Sequence, residues 1–234
     1  MSIDLYQLPP NYRPKYYTAN GLTLSNGNTK LGPDTLVINM TSATDCPSRR
    51  LGLCQLSNPA DCYALKAERL YKECLPYRRR QADYYQNTTI NRVIGDINAI
   101  IDQANRSKHV KAVGGIRYIR FSESGDFTNQ NKIRKLDLIA LAIKYHHPEV
   151  QFYGYSARSD LDFSRSPHLI VRGSGHDNGN AGRVIVRTLT ADQKAQRTII
   201  IDGTEYLICP GRCFGCTICK SHDTAQRPLL IPKH

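Results

Sequence analysis

No stretch of this sequence approaches the ~18 to 20 apolar residues of a membrane span. Its start, MSIDLYQLPPNYRPKYY, also has no apolar run behind a basic region, so a cytoplasmic protein without a membrane anchor is expected. Tryptophan is absent and Phe numbers only 5, leaving the aromatic complement mostly to 14 tyrosines. These show no stacking motif, and no groove-binding module is present, which weakens a nucleic-acid reader. Acidic residues are scarce as well: 20 Asp and Glu face 32 Lys and Arg, for a net charge of +12. That excess suits an anionic partner, nucleic acid or a phosphorylated small molecule, without choosing between them. Repeats and low-complexity segments are missing, and the length suffices for one sizeable core, so a single domain over residues 1–234 is expected. Composition does not set the oligomeric state.

Cysteine, by contrast, is abundant at eight residues. In a reducing compartment thiols at this density point to metal or redox chemistry rather than disulfides. Four of them fall in Cys209-Pro-Gly-Arg-Cys213-Phe-Gly-Cys216-Thr-Ile-Cys219. This spacing suits a [4Fe-4S] cluster, whose thiolate ligands come from a compact run with glycine and proline letting the backbone wrap. Zinc is the competing occupant, although zinc knuckles usually offer two separated Cys-x-x-Cys pairs. A second candidate metal loop, residues 46–62, holds Cys46, Cys54 and Cys62 with Pro47, Gly52 and Pro59 between them. One or two clusters are therefore expected. Three thiolates would leave an iron open to substrate, and scattered core cysteines are the bland alternative.

From Asp61 the spacing of Tyr63, Ala67, Leu70, Tyr71 and Cys74 predicts one helix, interrupted by Pro76. In a continuous helix Cys62 and Cys74 would lie about 18 Å apart, at about 1.5 Å per residue, too far to share an ion. Cys74 then reads as a thiol on the apolar face. A basic turn, Arg78 to Arg80, follows, and with Arg49, Arg50, Lys66, Arg69 and Lys72 it makes a candidate anion-binding surface. A second helix begins at a Thr88 or Thr89 cap and runs on the stripe Ile90, Val93, Ile94, Ile97, Ile101 and Ala104.

Strand and helix then alternate. Leu36 to Ile38 reads as a first strand after the turn-like LSNGNTKLG. Ile116 to Phe121 and Val150 to Tyr155 follow, separated by a helix carrying Ile133, Leu136, Ile139, Ala140 and Ile143. Next come Leu169 to Arg172, the glycine-rich stretch 173–182, Val184 to Arg187 and a short helix capped by Thr190. Last is a hairpin of Thr198 to Ile201 and Glu205 to Ile208 about Asp202-Gly203. This pattern predicts an α/β fold with a mostly parallel sheet, open or a partial barrel, with helical crossovers and cysteine-rich metal-binding loops near both ends. Ligands in such sheets bind where the strand carboxyl ends open. Glu123, Ser124 and Asp126 are the catalytic candidates there, with Tyr155, Arg158 and Arg172 as candidates for holding a small-molecule substrate and His176 as a further polar group at the same edge. Turn and cap chemistry is the plain alternative for the Ser-Glu-Ser-Gly-Asp segment. The 173–182 stretch is no phosphate loop, since a strand follows it instead of a helix. His146-His147 reads as a helix end.

The segments LSNGNTKLG, Thr44-Asp-Cys46-Pro, Cys54, Cys62-Tyr63-Ala64, Phe121-Ser-Glu-Ser-Gly-Asp-Phe127 and the terminal cysteine run together resemble the phage "gene product 88" family. More distantly they look similar to phage proteins related to radical S-adenosylmethionine enzymes. The resemblance implies a phage origin, a site of action in the host cytoplasm and cysteine-bound iron–sulfur chemistry, without naming a reaction. It also departs from the radical enzymes, which place a Cys-x-x-x-Cys-x-x-Cys triad near the amino end and keep the fourth iron for S-adenosylmethionine. Here that spacing lies at 209–216, with Cys219 able to close the fourth position, so S-adenosylmethionine is a doubtful cofactor. An iron–sulfur enzyme acting on a small molecule is the leading expectation. A nucleic-acid-binding or processing protein with a structural metal comes second. A pure electron carrier is third, because a carrier would not need the α/β domain that separates the cysteine groups.

Overall fold

The computed structural model describes residues 12–28, 30–56, 58 and 60–233. Pro59 and Thr29, expected to shape the 46–62 loop and the turn-like segment, lie outside them, as does most of the amino-terminal stretch.

Among the described residues ten strands form one sheet. In chain order the elements are β1 (Tyr16–Ala19), β2 (Leu22–Asn26), β3 (Thr35–Ile38), α1 (Pro47–Arg50), α2 (Tyr63–Leu70), α3 (Cys74–Asn87), α4 (Ile90–Asn105), α5 (Lys108–Ala112), β4 (Tyr118–Phe121) and α6 (Gln130–His146). They continue with β5 (Gln151–Ser156), β6 (Leu169–Ser174), β7 (Ala181–Arg187), α7 (Ala191–Ala195), β8 (Thr198–Ile201), β9 (Thr204–Ile208), α8 (His222–Ala225) and β10 (Leu229–Pro232). The strand order is β1-β2-β3-β4-β5-β6-β7-β10-β9-β8, with antiparallel pairs at both ends and parallel pairing from β3 through β9. The sheet is open, not a barrel. Among the described residues no helix is long and apolar enough to cross a membrane.

Period-two alternation divides the two faces. Leu36, Ile38, Ile119, Phe121, Phe152, Leu169 and Val171 point into the main core, where α4 contributes Val93, Ile97 and Ile101 and α6 contributes Ile133, Leu136, Ile139 and Ile143. The intervening residues, Tyr118, Arg120, Tyr153, Tyr155, Ile170 and Arg172, face the other way, toward the carboxy-terminal cysteine segment and α8.

Several local expectations correspond closely to the elements observed. Thr190 caps α7 in a reciprocal capping box with Gln193, and Asp202 and Gly203 both take positive φ in the β8–β9 turn. Others need correction. Two strands, β1 and β2, precede the expected first strand, so Leu24 to Asn26 of the turn-like segment are strand residues. The helix from Asp61 is not continuous: α2 ends at Leu70, Tyr71 is extended (φ −119°, ψ 104°), and α3 restarts at Cys74 with Pro76 in its first turn. The expected apolar face is wrong as well, because Tyr63, Leu70 and Tyr71 are exposed while Ala64, Leu65 and Glu68 are buried. Arg78 to Arg80 lie within α3 rather than in a turn. β7 begins at Ala181, opposite Arg172, so the 175–180 loop only has to return a few residues and no crossover helix is needed.

Candidate metal centre

β9 runs parallel to β10 and brings Cys209 to the same edge at which β4 and β5 end; Cys209 N–H donates to the Leu230 carbonyl at 2.8 Å. Residues beyond it fold across the second face. Cys213 and Phe214 N–H both donate to the Lys30 carbonyl, at 3.0 and 2.9 Å. Phe214 lies so close to Gly32 that a Cβ there would meet its ring at 2.3 Å, and Gly32 has φ +81°, so only glycine serves as this seat. Lys220 sits over the Tyr118 ring, 4.2 Å from its centroid, and donates to the Cys213 carbonyl at 2.8 Å. From β6, the fully buried Arg172 donates to the carbonyls of Ile218 (3.0 Å) and Arg227 (2.8 Å). Arg172, expected to clamp a substrate, therefore braces the segment between Cys216 and Cys219.

Cys209, Cys213, Cys216 and Cys219 all line one cavity with Arg120, Tyr153 and Tyr155. They are close enough to interact electrostatically, and all are free thiols. Burial pushes the Cys209 thiol up to about 11 and raises Cys219, although Arg172 and a hydrogen bond with the Tyr155 hydroxyl partly oppose this for Cys219. At neutral pH Cys209 and Cys219 stay protonated on their own, whereas a bound metal would deprotonate them. Tyr155, expected to touch substrate, thus faces a cysteine. Among the described residues no three His, Cys, Asp or Glu side chains are gathered as the ligands of a single metal ion. The cavity is small, with about 30 Å³ open to the centres of water-sized groups. Four thiols and two orphaned buried donors, the Arg120 Nε and the Tyr153 hydroxyl, suit a metal–thiolate group in composition.

At the carboxyl edge of the parallel strands lies the second group. Cys46 and Cys54 interact with each other and with Asp126, and Cys54 interacts with Cys62; burial pushes Cys46 up to about 12 and raises Cys54. Cys74 belongs elsewhere, half-buried beside Arg78, Glu68 and Glu123. The continuous helix expected to hold Cys74 away from the other three is broken at Tyr71, so helical rise does not set their separation.

The proposed catalytic residues at this edge are committed to the scaffold. Asp126 accepts from Ser48 Oγ (2.6 Å), Ser156 Oγ (2.7 Å), Ala157 N–H (2.8 Å) and Phe127 N–H (2.9 Å), yet burial still raises its pKa. Ser124 donates its N–H to Asn39 at 2.7 Å and its hydroxyl to Glu68 at 3.3 Å. Glu123 pairs with Arg78 at 3.1 Å. Arg158 grips both oxygens of Asp160 at 2.7 Å and donates to the Phe127 and Thr128 carbonyls. His176 approaches the Ser174 carbonyl through Nδ1. Sequence reasoning did not single out Arg120, Tyr153, Glu68 and Lys220. A signal was present for the first two: Arg120 and Tyr153 alternate with core residues in their strands, placing a charge and a phenol on a covered face.

The family model described as "Gene product 88" matches residues 9–219, a span that contains all eight cysteines and ends on the last of them. The chain belongs to the gene product 88 family. Neither the curated proteins nor the solved structures contain a match, and no comparison shows the more distant relationship to radical S-adenosylmethionine enzymes.

Proposed function

We propose that this member of the gene product 88 family is a phage iron–sulfur protein, its [4Fe-4S] cluster held by Cys209, Cys213, Cys216 and Cys219 on the second face of the sheet. The observation that carries the reading is the convergence of these four thiols on one cavity, beneath a segment pinned by Arg172, Lys220 and Phe214. A bound cluster supplies electron transfer or Lewis-acid chemistry. Cys46 and Cys54 near Asp126, with Cys62 beside Cys54, at the open edge of the parallel strands, form the position where a small-molecule substrate would meet a second, incompletely ligated metal. S-adenosylmethionine is not part of this reading, because Cys219 stands with the other three thiols.

A second reading is structural zinc in a nucleic-acid-binding protein: the four thiols suit a single zinc ion as well as a cluster, and most of the candidate basic surface is exposed. Within that surface Arg78 is buried and Arg79 pairs with Asp45 at 2.8 Å, while Arg50, Lys66, Arg69, Lys72 and Arg80 are exposed. Anaerobic purification with iron, sulfide and zinc analysis separates the two. Iron and acid-labile sulfide near four each per chain, lost on Cys213→Ser, are expected for one cube, with more where the second group is also loaded. Zinc without iron would overturn the iron–sulfur reading. Nucleic-acid affinity that falls steeply with salt would then favour the second.

A further inference from the structure

We infer that Arg120 and Tyr153 donate hydrogen bonds to the negatively charged centre held by the four carboxy-terminal cysteines and thereby set its charge balance. This rests on the metal–thiolate reading and adds to it a role for two residues that are not ligands. Arg120 sits in the middle of β4, between the core residues Ile119 and Phe121, with its guanidinium 5.5 Å from the Tyr155 ring centroid. Its Nε is buried and meets no hydrogen-bond partner among the described residues. Tyr153 is 2% exposed, stacks edge-on against Tyr118 at 6.0 Å, and its buried hydroxyl likewise meets no partner.

Unmatched buried donors destabilise a fold, so two of them on the wall of one cavity mark the position of an acceptor. The cavity's remaining lining indicates which acceptor. Four thiolates around a dication, whether zinc or an oxidised four-iron cube, carry a formal charge of about −2. Of the other nearby cations, Lys220 donates to the Cys213 carbonyl and Arg172 to those of Ile218 and Arg227, while Arg212 lines the cavity from the loop. Arg120 supplies a positive charge and Tyr153 a neutral donor, both lining the cavity from the sheet side while the cysteines line it from the loop. Donors to cluster sulfurs stabilise the reduced, more negative state most, and so raise the reduction potential.

The test uses anaerobically prepared full-length protein with Tyr153→Phe, Arg120→Met and Arg120→Lys, each checked for folding by circular dichroism and for metal and sulfide content. With iron present, Tyr153→Phe and Arg120→Met should retain the cluster while its reduction potential, read by spectroelectrochemistry, moves negative; Arg120→Lys should fall between Arg120→Met and wild type. With zinc present, the first two variants should lose it to a chelator about tenfold faster or more. A potential or release rate equal to wild type in both variants, with metal retained, would overturn the assignment of the two donors and leave the metal centre standing. Wild-type protein devoid of both metals would overturn the centre itself and this inference with it.

Discussion

Arg78→Met tests whether the basic run on α3 belongs to the interior or to a binding surface. The guanidinium donates to Glu68 at 3.1 Å, Glu123 at 3.1 Å and the Ala64 carbonyl at 2.8 Å. Side-chain exposure is 6% for Arg78, 1% for Glu68 and 19% for Glu123, so water cannot replace it. Methionine keeps much of the apolar stem but strands two carboxylates, a loss of about 3–5 kcal/mol for a broken buried pair. At ~2–4 °C per kcal/mol for a chain of this size, the melting temperature should drop by about 6–20 °C. The pH dependence carries a sign. Burial, the largest effect on Glu68, raises its pKa, but hydrogen bonds from Ala43, Thr44 and Arg78 together hold it below the usual carboxylate range. Its stabilisation is therefore complete above the unfolded value of about 4.3 and is lost as pH falls through the lowered folded value. Removing Arg78 weakens that lowering, so the gap between wild type and variant should be widest near neutral pH and narrow below about pH 4. Urea unfolding followed by circular dichroism across pH provides the measurement. A variant within about 0.5 kcal/mol of wild type at pH 7, the range of ordinary surface changes, would refute the buried-bridge reasoning.

Gly125→Ala should unfold readily: φ is +67° and the new Cβ would stand 2.1 Å from Thr41 Oγ1 and 2.3 Å from the Thr41 carbonyl oxygen. The left-handed backbone alone costs about 1–2 kcal/mol, and thermal melting should show more than that. Asp126→Asn should lose about 1–3 kcal/mol by denaturant titration, because either orientation of the amide turns its NH2 on a backbone N–H, that of Ala157 or Phe127. An unchanged midpoint would show that this carboxyl is not the fastener described. Cys74→Ala should cost on the order of 1 kcal/mol with metal retained, whereas Cys46→Ala, Cys54→Ala or Cys62→Ala should lower bound metal. Metal analysis of the single variants checks this, and the reverse pattern would dissolve the trio.

Local chemistry was legible in the chain itself. Helix α4 and helix α6 follow from apolar spacing of three and four, β8 and β9 from Asp202-Gly203, and the α7 start from Thr190, because each is decided by residues within one or two turns. The β1–β2 hairpin had an equally local signal in Asn20-Gly21, both of positive φ, and it was obscured by the turn-rich composition around it. The terminal cysteine run was visible as a unit for the same reason of proximity. Tertiary structure alone decided what depends on distant partners. The stretch around Tyr71 has helical spacing, yet α2 and α3 break apart there while Arg78 bridges Glu68 on α2 and Glu123 after β4. Placement of β10 between β7 and β9 rests on parallel pairing across the chain, which no local pattern encodes. Arg172 looked like a substrate clamp until its face of β6 was known, since a strand alternates faces at every residue and only the sheet's packing decides which face meets the helices and which meets the cysteines.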